Sequence, residues 1–144
     1  MTDGTALFVV TDAPSPEALE AIGNGLTAFN AADVGPSERR PLAVLVGGPQ
    51  AAGKRGGLSG YTAWGWLFVQ WLWLPEELRG QGLAGQLLQA AEAEARNRGC
   101  HGAWIDTFNP QARRAYERQG YEAFGELPDF PPGRSRVFLR KSLP

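Results

Sequence analysis

A glycine-rich turn, Arg79-Gly80-Gln81-Gly82-Leu83-Ala84, separates an apolar segment from a helical pattern. Glycines let the backbone come close to a ligand, and the first turn of a helix leaves N–H groups that favour an anion. Together these features favour binding of a phosphate or diphosphate. Glycine also serves any tight strand-to-helix turn, so the turn alone leaves a purely structural role open.

Other nucleotide and metal motifs are excluded by spacing. The turn lacks the three-glycine spacing and the following acidic residue of the dinucleotide fold, and no Gly-Lys-Ser/Thr ending of a nucleoside-triphosphate loop occurs. Cys100 and His101 are the single cysteine and histidine, so the sequence offers no metal-ligand cluster and no intrachain disulfide. We therefore expect no metal, and ordinary packing or surface roles for both residues.

Length and charge limit the class of protein. The 144 residues suit one domain over residues 1–144, and a formal net charge of −1 gives no broad basic field for nucleic acid or an anionic membrane. The first residues show no basic segment followed by a long apolar run, and no stretch approaches the roughly 20 apolar residues of a spanning helix. We expect a soluble, cytoplasmic protein.

The first 40 residues predict a strand and a helix. Residues 6–10 form a short apolar run, and Ser15-Pro16 is typical of a helix start. An apolar stripe follows at helical spacing: Leu19, Ile22, Leu26 and Phe29. Gly23 and Gly25 weaken the helix, so we expect a bend or mobile segment near Asn24, as substrate clefts often use.

The middle of the chain predicts a hairpin and an aromatic strand region. Residues 42–46 are rich in β-formers, and residues 47–54 predict a turn into a second strand. Residues 60–74 carry six aromatic rings, which we expect mostly in the core. In an extended strand Trp71 and Trp73 share one face, and the other face holds Phe68, Gln70, Leu72 and Leu74.

The last third alternates strands and helices. A helix from about Gly82 has one apolar face, allows a Glu92–Arg96 pair, and ends at Gly99. Residues 102–108 predict a strand, and residues 109–119 predict a helix that opens on Asn-Pro and stops at Gly120. Residues 123–125 and 137–139 predict a closing antiparallel pair.

Two of these segments resemble the GCN5-related N-acetyltransferase (GNAT) superfamily. Arg79, Gly82 and Ala84 fit its Arg/Gln-x-x-Gly-x-Gly/Ala signature, after a strand, residues 71–75, that is similar to the family's cofactor-binding strand. A second motif places an asparagine, an alanine, a tyrosine and a Gly-aromatic pair at Asn109, Ala112, Tyr116 and Gly120-Tyr121. The resemblance covers residues 42–143, and the first 40 residues match only in outline.

The resemblance implies an α/β (α+β) fold with a mixed, mostly antiparallel central sheet flanked by helices. Its two central parallel strands splay apart and admit the pantetheine arm of acetyl-CoA, the implied cosubstrate. Main-chain groups of Leu72, Trp73 and Leu74 would bind the arm. Residues 79–84 would bind the diphosphate, with charge from Arg79, and Asn109 would contact the cosubstrate.

The implied chemistry is direct attack of an amine on the thioester, with Tyr116 as general acid for the thiolate. The alternative is that Tyr116 only packs under the sheet. Many relatives carry a glutamate base before the turn, but residues 61–74 contain no carboxylate. The nearest candidate bases by position are Asp106, near the end of the following strand, and Glu76 or Glu77 after Pro75. A solvated or capping charge is the alternative role for each, and a water chain is an equal alternative to a carboxylate base.

The acceptor side is expected to use residues of the first helix and the central strands, namely Asn24, Phe29, Asn30, Tyr61, Trp64 and Trp66. Aromatic walls suit an aliphatic or cationic amine. Three segments, 60–62, 65–67 and 129–133, also resemble a group of small bacterial acetyltransferases, a pattern that names no acceptor.

Three functions remain in competition. The first is an acetyl-CoA-dependent N-acetyltransferase for a small-molecule amine. The second is a catalytically weak sensor of CoA thioesters, because the strand carboxylate is missing. The third is a protein or peptide lysine acetyltransferase, which would need an acidic groove. Dimerisation is common in the family, and the aromatic region or the final strand would supply a homodimer interface.

Overall fold

A computed structural model describes residues 7–47 and 56–144. The chain divides into two compact units, one ending at Ser37 and the other running from Glu38 to Pro144. Among the described residues the first unit contains the helix α1, Pro16–Val34. The second contains a six-stranded sheet, two further α-helices and a short 3-10 helix at Glu76–Leu78.

The start of α1 follows its sequence signal. The Ser15 hydroxyl accepts a hydrogen bond from the Ala18 N–H at 3.1 Å, and Pro16 occupies the first turn, where a missing N–H costs nothing. The helix continues through Gly23 and Gly25 without a break. The apolar stripe lies on α1 as predicted by its spacing, with all four side chains more than half exposed.

The strand predicted over residues 6–10 is wrong for the residues described there. Residues 7–10 have no regular structure and are strongly exposed. A strand requires a neighbour to pair its N–H and C=O groups, and no described strand pairs with this segment. Apolar composition alone therefore did not produce a strand.

The sheet of the second unit has the order β1-β2-β3-β4-β6-β5. Its strands are β1 Arg40–Leu45, β2 Gly57–Ala63, β3 Trp66–Trp73, β4 Gly102–Thr107, β5 Glu122–Pro128 and β6 Ser135–Ser142. Every neighbouring pair is antiparallel except β3 and β4, which are parallel. The mixed, mostly antiparallel sheet and the strand pairing of both predicted hairpins are confirmed. The turn predicted over residues 47–54 lies outside the described residues from position 48 onward.

A bulge interrupts β3. Ser59 of β2 pairs with Trp71, whereas the next residue, Gly60, pairs with Val69. Gln70 is therefore an extra residue on β3 without a partner on β2. An extra residue turns the strand and exchanges its two faces.

Because of the bulge, the side chains of the aromatic segment lie on different faces of the sheet from those predicted. Leu67 is buried before the bulge, and Leu72 and Leu74 pack into the same core after it. The prediction that Phe68 shares a face with Leu72 is wrong, because strict alternation does not survive the insertion. The expectation of a mostly buried aromatic cluster is also wrong: half the rings are exposed (Trp64, Trp71 and Trp73) and half are partly buried (Tyr61, Trp66 and Phe68).

Helix α2, Leu83–Asn97, lays its predicted apolar face on the sheet. Its buried residues are Leu87, Leu88, Ala91, Glu92 and Ala95. The predicted Glu92–Arg96 pair is wrong, because Glu92 points into the core and is only 2% exposed. The exposed side of α2 instead carries the Glu94–Arg98 ion pair at 2.8 Å, whose hydrogen bond lowers the pKa of Glu94.

Helix α3, Pro110–Arg118, begins and ends as predicted. The Asn109 side-chain oxygen accepts hydrogen bonds from the N–H groups of Gln111 and Ala112 at 2.8 and 3.0 Å. Gly120 closes the helix with a φ of 95°, and Gly99 closes α2 with a φ of 84°. Both glycines occupy the left-handed region that other residues rarely adopt.

Candidate active site

The parallel strands β3 and β4 separate after a short ladder. Trp66–Val69 pair with Gly102–Ile105, and beyond this point the two strands no longer pair with each other. The gap opens into a cleft of about 550 Å³. Its lining comes from β3 (residues 68–73), β4 and its end (residues 105–108), Tyr116 of α3 and Arg136 of β6. Unpaired backbone beside an open cleft offers hydrogen bonds to an extended ligand.

Tyr116 lines this cleft from α3 and is 7% exposed. Burial raises the pKa of its hydroxyl, and the nearby Asp106 carboxylate raises this pKa further. Both effects disfavour the phenolate. Tyr116 therefore holds its proton at neutral pH and can donate it.

A buried polar network fixes the end of the helix that carries Tyr116. The Tyr121 N–H donates to the Tyr116 carbonyl at 3.1 Å, and the Tyr121 hydroxyl donates to the Glu92 carboxylate at 2.9 Å. Lys141 of β6 donates to the other Glu92 oxygen at 2.8 Å. Burial, with the adjacent carboxylate of Glu92, raises the pKa of Tyr121. The network joins α2, the end of α3 and β6.

Asp106 lines the same cleft and pairs with Arg136, whose Nη1 lies 3.2 Å from Asp106 Oδ1. Phe138 stands opposite Asp106 in the β4–β6 register, so Arg136 is a diagonal neighbour of Asp106 on the same face. The guanidinium lies over the rings of Phe130 and Phe108, at 4.5 and 5.5 Å from their centroids. Sequence reasoning missed Arg136, because its nearness to Asp106 follows from strand register.

The glycine-rich turn presents an open helix start. Gly80 and Gly82 have φ values of 74° and 78°, and a Cβ built at either would meet no atom within 4 Å. No side chain caps α2 at Gly82. The first N–H groups of α2 therefore lack a side-chain partner and lie beside open space, which suits an anion.

Two side chains brace this turn. The Arg79 Nε donates to the Leu74 carbonyl at 2.8 Å, and the Gln81 amide donates to the Glu77 carbonyl at 2.8 Å. Leu83 and Ala84 form the first turn of α2 and pack at the edge of the core. Arg79 thus has a structural task in addition to the charge that it brings.

Some of the remaining predicted cosubstrate residues line the cleft, and the others lie elsewhere. Leu72 and Trp73 line the cleft, whereas Leu74 is buried just beyond the end of β3. Asn109 caps α3 and lines a separate cavity of about 320 Å³ between α3 and the β5–β6 hairpin. Glu76 and Glu77 are exposed in the 3-10 helix and do not line the cleft.

The acceptor residues predicted on the strands and their turn do not line the cleft. Tyr61 packs edge-on against Phe68, which does line it, and carries Arg39 over its ring at 3.7 Å. Trp64 occupies the β2–β3 turn, and Trp66 packs against His101. The other predicted acceptor residues, Asn24, Phe29 and Asn30, lie on α1.

Residues 7–47 and 56–144 carry neither a metal-binding cluster nor a membrane-spanning helix. No group of three or more His, Cys, Asp or Glu side chains in this part of the chain could hold a metal ion. None of the helices described there is long and apolar enough to cross a membrane. Burial raises the pKa of the Cys100 thiol.

Comparison with known proteins agrees with this architecture. Residues 44–121 match the model of the acetyltransferase (GNAT) family. The chain is 47% identical to acetyltransferase Atu2258 of Agrobacterium fabrum over 134 residues, which cover 93% of this chain and 97% of that protein. The chain belongs to the GNAT family of acetyltransferases.

Two further relatives refine the comparison. Blasticidin-S acetyltransferase of Streptomyces morookaense is 41% identical over 111 residues, which cover 74% of this chain and 80% of that protein. A solved acetyltransferase structure from Agrobacterium tumefaciens is 46% identical and superposes with a TM-score of 0.89, covering 95% of this chain and 99% of that one. The splayed sheet is therefore the fold of a solved relative.

Proposed function

We propose that this acetyltransferase moves an acetyl group from acetyl-CoA to a primary amine of a small molecule by direct attack. Tyr116 is the general acid in this proposal, and Asp106 is the base that receives the amine proton. One observation carries it: both side chains line the cleft that opens where β3 and β4 part. The alignment over 93% of the chain supports treating residues 1–144 as one acyltransferase domain.

The backbone around the cleft fits acetyl-CoA as the cosubstrate. An extended pantetheine arm needs main-chain partners, and residues 70–73 of β3 face the gap without a partner on β4. A diphosphate needs donors, and the uncapped start of α2 with its open glycines supplies them. Arg79 and Asn109 complete the proposed set of cosubstrate contacts.

The proposed reaction exchanges a C–S bond for a C–N bond. The neutral amine attacks the thioester carbonyl carbon, the C–S bond breaks, and the leaving sulfur takes the Tyr116 proton. The nitrogen loses one proton to Asp106, Asp106 releases that proton to solvent, and solvent returns a proton to Tyr116. Burial raises the pKa of the Tyr116 hydroxyl, so the hydroxyl is protonated before each turnover.

A small-molecule acceptor is supported by the blasticidin-S acetyltransferase relative. It is also supported by the cleft, which is concave and lined by aromatic and apolar residues with few charges. A lysine-rich peptide would favour a groove with several free carboxylates. In this cleft the single carboxylate, Asp106, is already paired with Arg136.

The test is a titration of acetyl-CoA into the protein by calorimetry, followed by an amine panel with free-thiol release as the readout. Binding followed by amine-dependent thiol release is expected. Tight binding with no turnover of any amine would replace the proposal with a sensor of CoA thioesters. Absence of binding would mean that the glycine-rich turn is only a turn. Acetylation confined to a lysine-rich peptide library would reassign the acceptor class.

A further inference from the structure

Arg136 is a positively charged residue of the cleft that has no role in the proposed reaction. It lies on β6, lines the cleft beside Asp106, and keeps 29% of its side chain exposed. Asp106 reaches it through a single oxygen–nitrogen contact at 3.2 Å. Arginine commonly binds a carboxylate through two parallel N–H···O bonds, so Asp106 leaves part of the guanidinium uncommitted.

Two rings hold the guanidinium without using its donors. Phe130 and Phe108 pack against Arg136 through their π faces, at 4.5 and 5.5 Å. A cation–π contact relies on the charge of the guanidinium, and a guanidinium has five N–H donors, more than one contact with Asp106 occupies.

One N–H donor of Arg136 has no hydrogen-bond acceptor among the described residues. Among residues 7–47 and 56–144, its Nε is the buried side-chain nitrogen or oxygen that lacks a hydrogen-bond partner. Apart from the Asp106 contact, no described residue accepts from this guanidinium. A buried donor without a partner is costly in the free protein, and the part of the guanidinium that is exposed in the cleft is open to an anionic ligand.

Arg136 also changes the charge of the acceptor site. The charged side chains that line the cleft are Asp106 and Arg136, one of each sign. A site for a polyamine would present carboxylates without a competing cation, because like charges repel the ligand. The pair instead offers one group for an amine and, directly beside it, one for an anion.

We propose that Arg136 selects the acceptor by binding a carboxylate that lies close to the reactive amine. The acceptor class is then an amino acid or a larger molecule that contains an amino-acid-like amine and carboxylate pair. This inference rests on the proposed function, in which Asp106 faces the amine. Since Arg136 Nη1 and Asp106 Oδ1 are 3.2 Å apart, the two groups of the acceptor are separated by a short carbon chain.

The experiment uses matched acceptor pairs: glycine, β-alanine and γ-aminobutyrate, each with its carboxamide. Acetyl transfer is measured by thiol release for the wild-type protein, Arg136→Gln, Arg136→Lys and Arg140→Gln. Arg140 is the matched control, because it lies on β6 and packs over the Phe124 ring at 5.4 Å but does not line the cleft. Thermal unfolding verifies that each variant is folded.

We expect at least one acid to exceed its amide in kcat/KM by about tenfold or more, the size of one charge-assisted hydrogen bond. Arg136→Gln removes that preference, Arg136→Lys keeps a part of it, and Arg140→Gln keeps all of it. Dividing the acid-to-amide ratio of a variant by that of the wild type cancels differences in intrinsic amine reactivity.

Three outcomes would overturn the inference although acetyl transfer is observed. In the first, the kcat/KM of every amide matches or exceeds that of its acid. In the second, Arg136→Gln lowers kcat/KM equally for the acid and the amide of each pair, and in the third, Arg140→Gln also removes the preference for the acid. If no pair is acetylated, calorimetric binding of the same pairs to the CoA-saturated protein decides. Acid-selective binding that Arg136→Gln abolishes supports the inference although the proposed function fails. Binding without acid selectivity, or no binding of any pair, overturns it.

Discussion

The Tyr121 hydroxyl donates a hydrogen bond to the Glu92 carboxylate at 2.9 Å inside the core, although the two residues are 29 positions apart. Glu92 also receives the Lys141 ammonium at 2.8 Å. A carboxylate that is 2% exposed is tolerated only with such partners. These contacts tie the helix that begins at the glycine-rich turn to the end of the helix that carries Tyr116.

Glu92→Gln is expected to destabilise the protein by about 2–3 kcal/mol, because it removes a buried charge and leaves Lys141 without its counterion. The measurement is urea unfolding at neutral pH. Glu94→Gln is the matched control on the same helix: its carboxylate is exposed, and a much smaller loss of stability is expected. Equal losses in the two variants would contradict the role given to Glu92.

Alkaline pH is expected to weaken the fold through Tyr121. Its pKa is raised in the folded state, whereas the unfolded chain ionises near the ordinary value of about 10. Below that pH the stabilisation is complete, and above it stability falls as pH rises, by up to about 1.4 kcal/mol per pH unit for this group.

The check on Tyr121 is urea unfolding at mildly and strongly alkaline pH. Tyr121→Phe should have a shallower loss of stability with pH than the wild type. The assignment fails if the Tyr121→Phe slope is unchanged.

Tyr116→Phe is expected to lower kcat by about 10²–10⁴-fold, the usual contribution of a positioned general acid. Affinity for acetyl-CoA should change little, because the ring remains and only the hydroxyl is lost. Stopped-flow thiol release and calorimetry measure the two quantities separately. Wild-type turnover in Tyr116→Phe would show that the tyrosine only packs against the cleft.

Gly82→Ala is expected to weaken acetyl-CoA binding. Alanine at a φ of 78° costs about 1–2 kcal/mol, and relief of that strain moves the first N–H groups of α2. Gly125→Ala on β5 is the control, because a Cβ there meets nothing and φ lies outside the left-handed region. The acetyl-CoA affinity of both variants is measured by calorimetric titration. Equal affinities would show that the glycine-rich turn does not bind the diphosphate.

The boundaries of most helices could be predicted because their signals are local. Ser15 and Asn109 each cap N–H groups within three residues, and Gly99 and Gly120 each close the helix next to them. The separation of the two central strands was predicted from the resemblance of two motifs to a known family, because no local sequence pattern encodes it.

The features that escaped prediction depend on contacts between distant segments. The extra residue Gln70 is defined by the register with β2, and it exchanges the faces of all following positions. Arg136 meets Asp106 because β6 lies beside β4, and Glu92 is buried because Tyr121 and Lys141 reach it. Helical spacing alone predicted a Glu92–Arg96 pair, because spacing along one helix carries no information about partners on other elements.

The short parallel ladder between β3 and β4 divides the sheet into two three-stranded antiparallel blocks, β1-β2-β3 and β4-β6-β5. Within the sheet, only residues 66–69 and 102–105 join the blocks, and α2 and α3 pack across the core that they share. Each block closes its own hydrogen bonds through antiparallel pairing. Each wall of the cleft therefore belongs to a different antiparallel block and is held in place by the strands behind it.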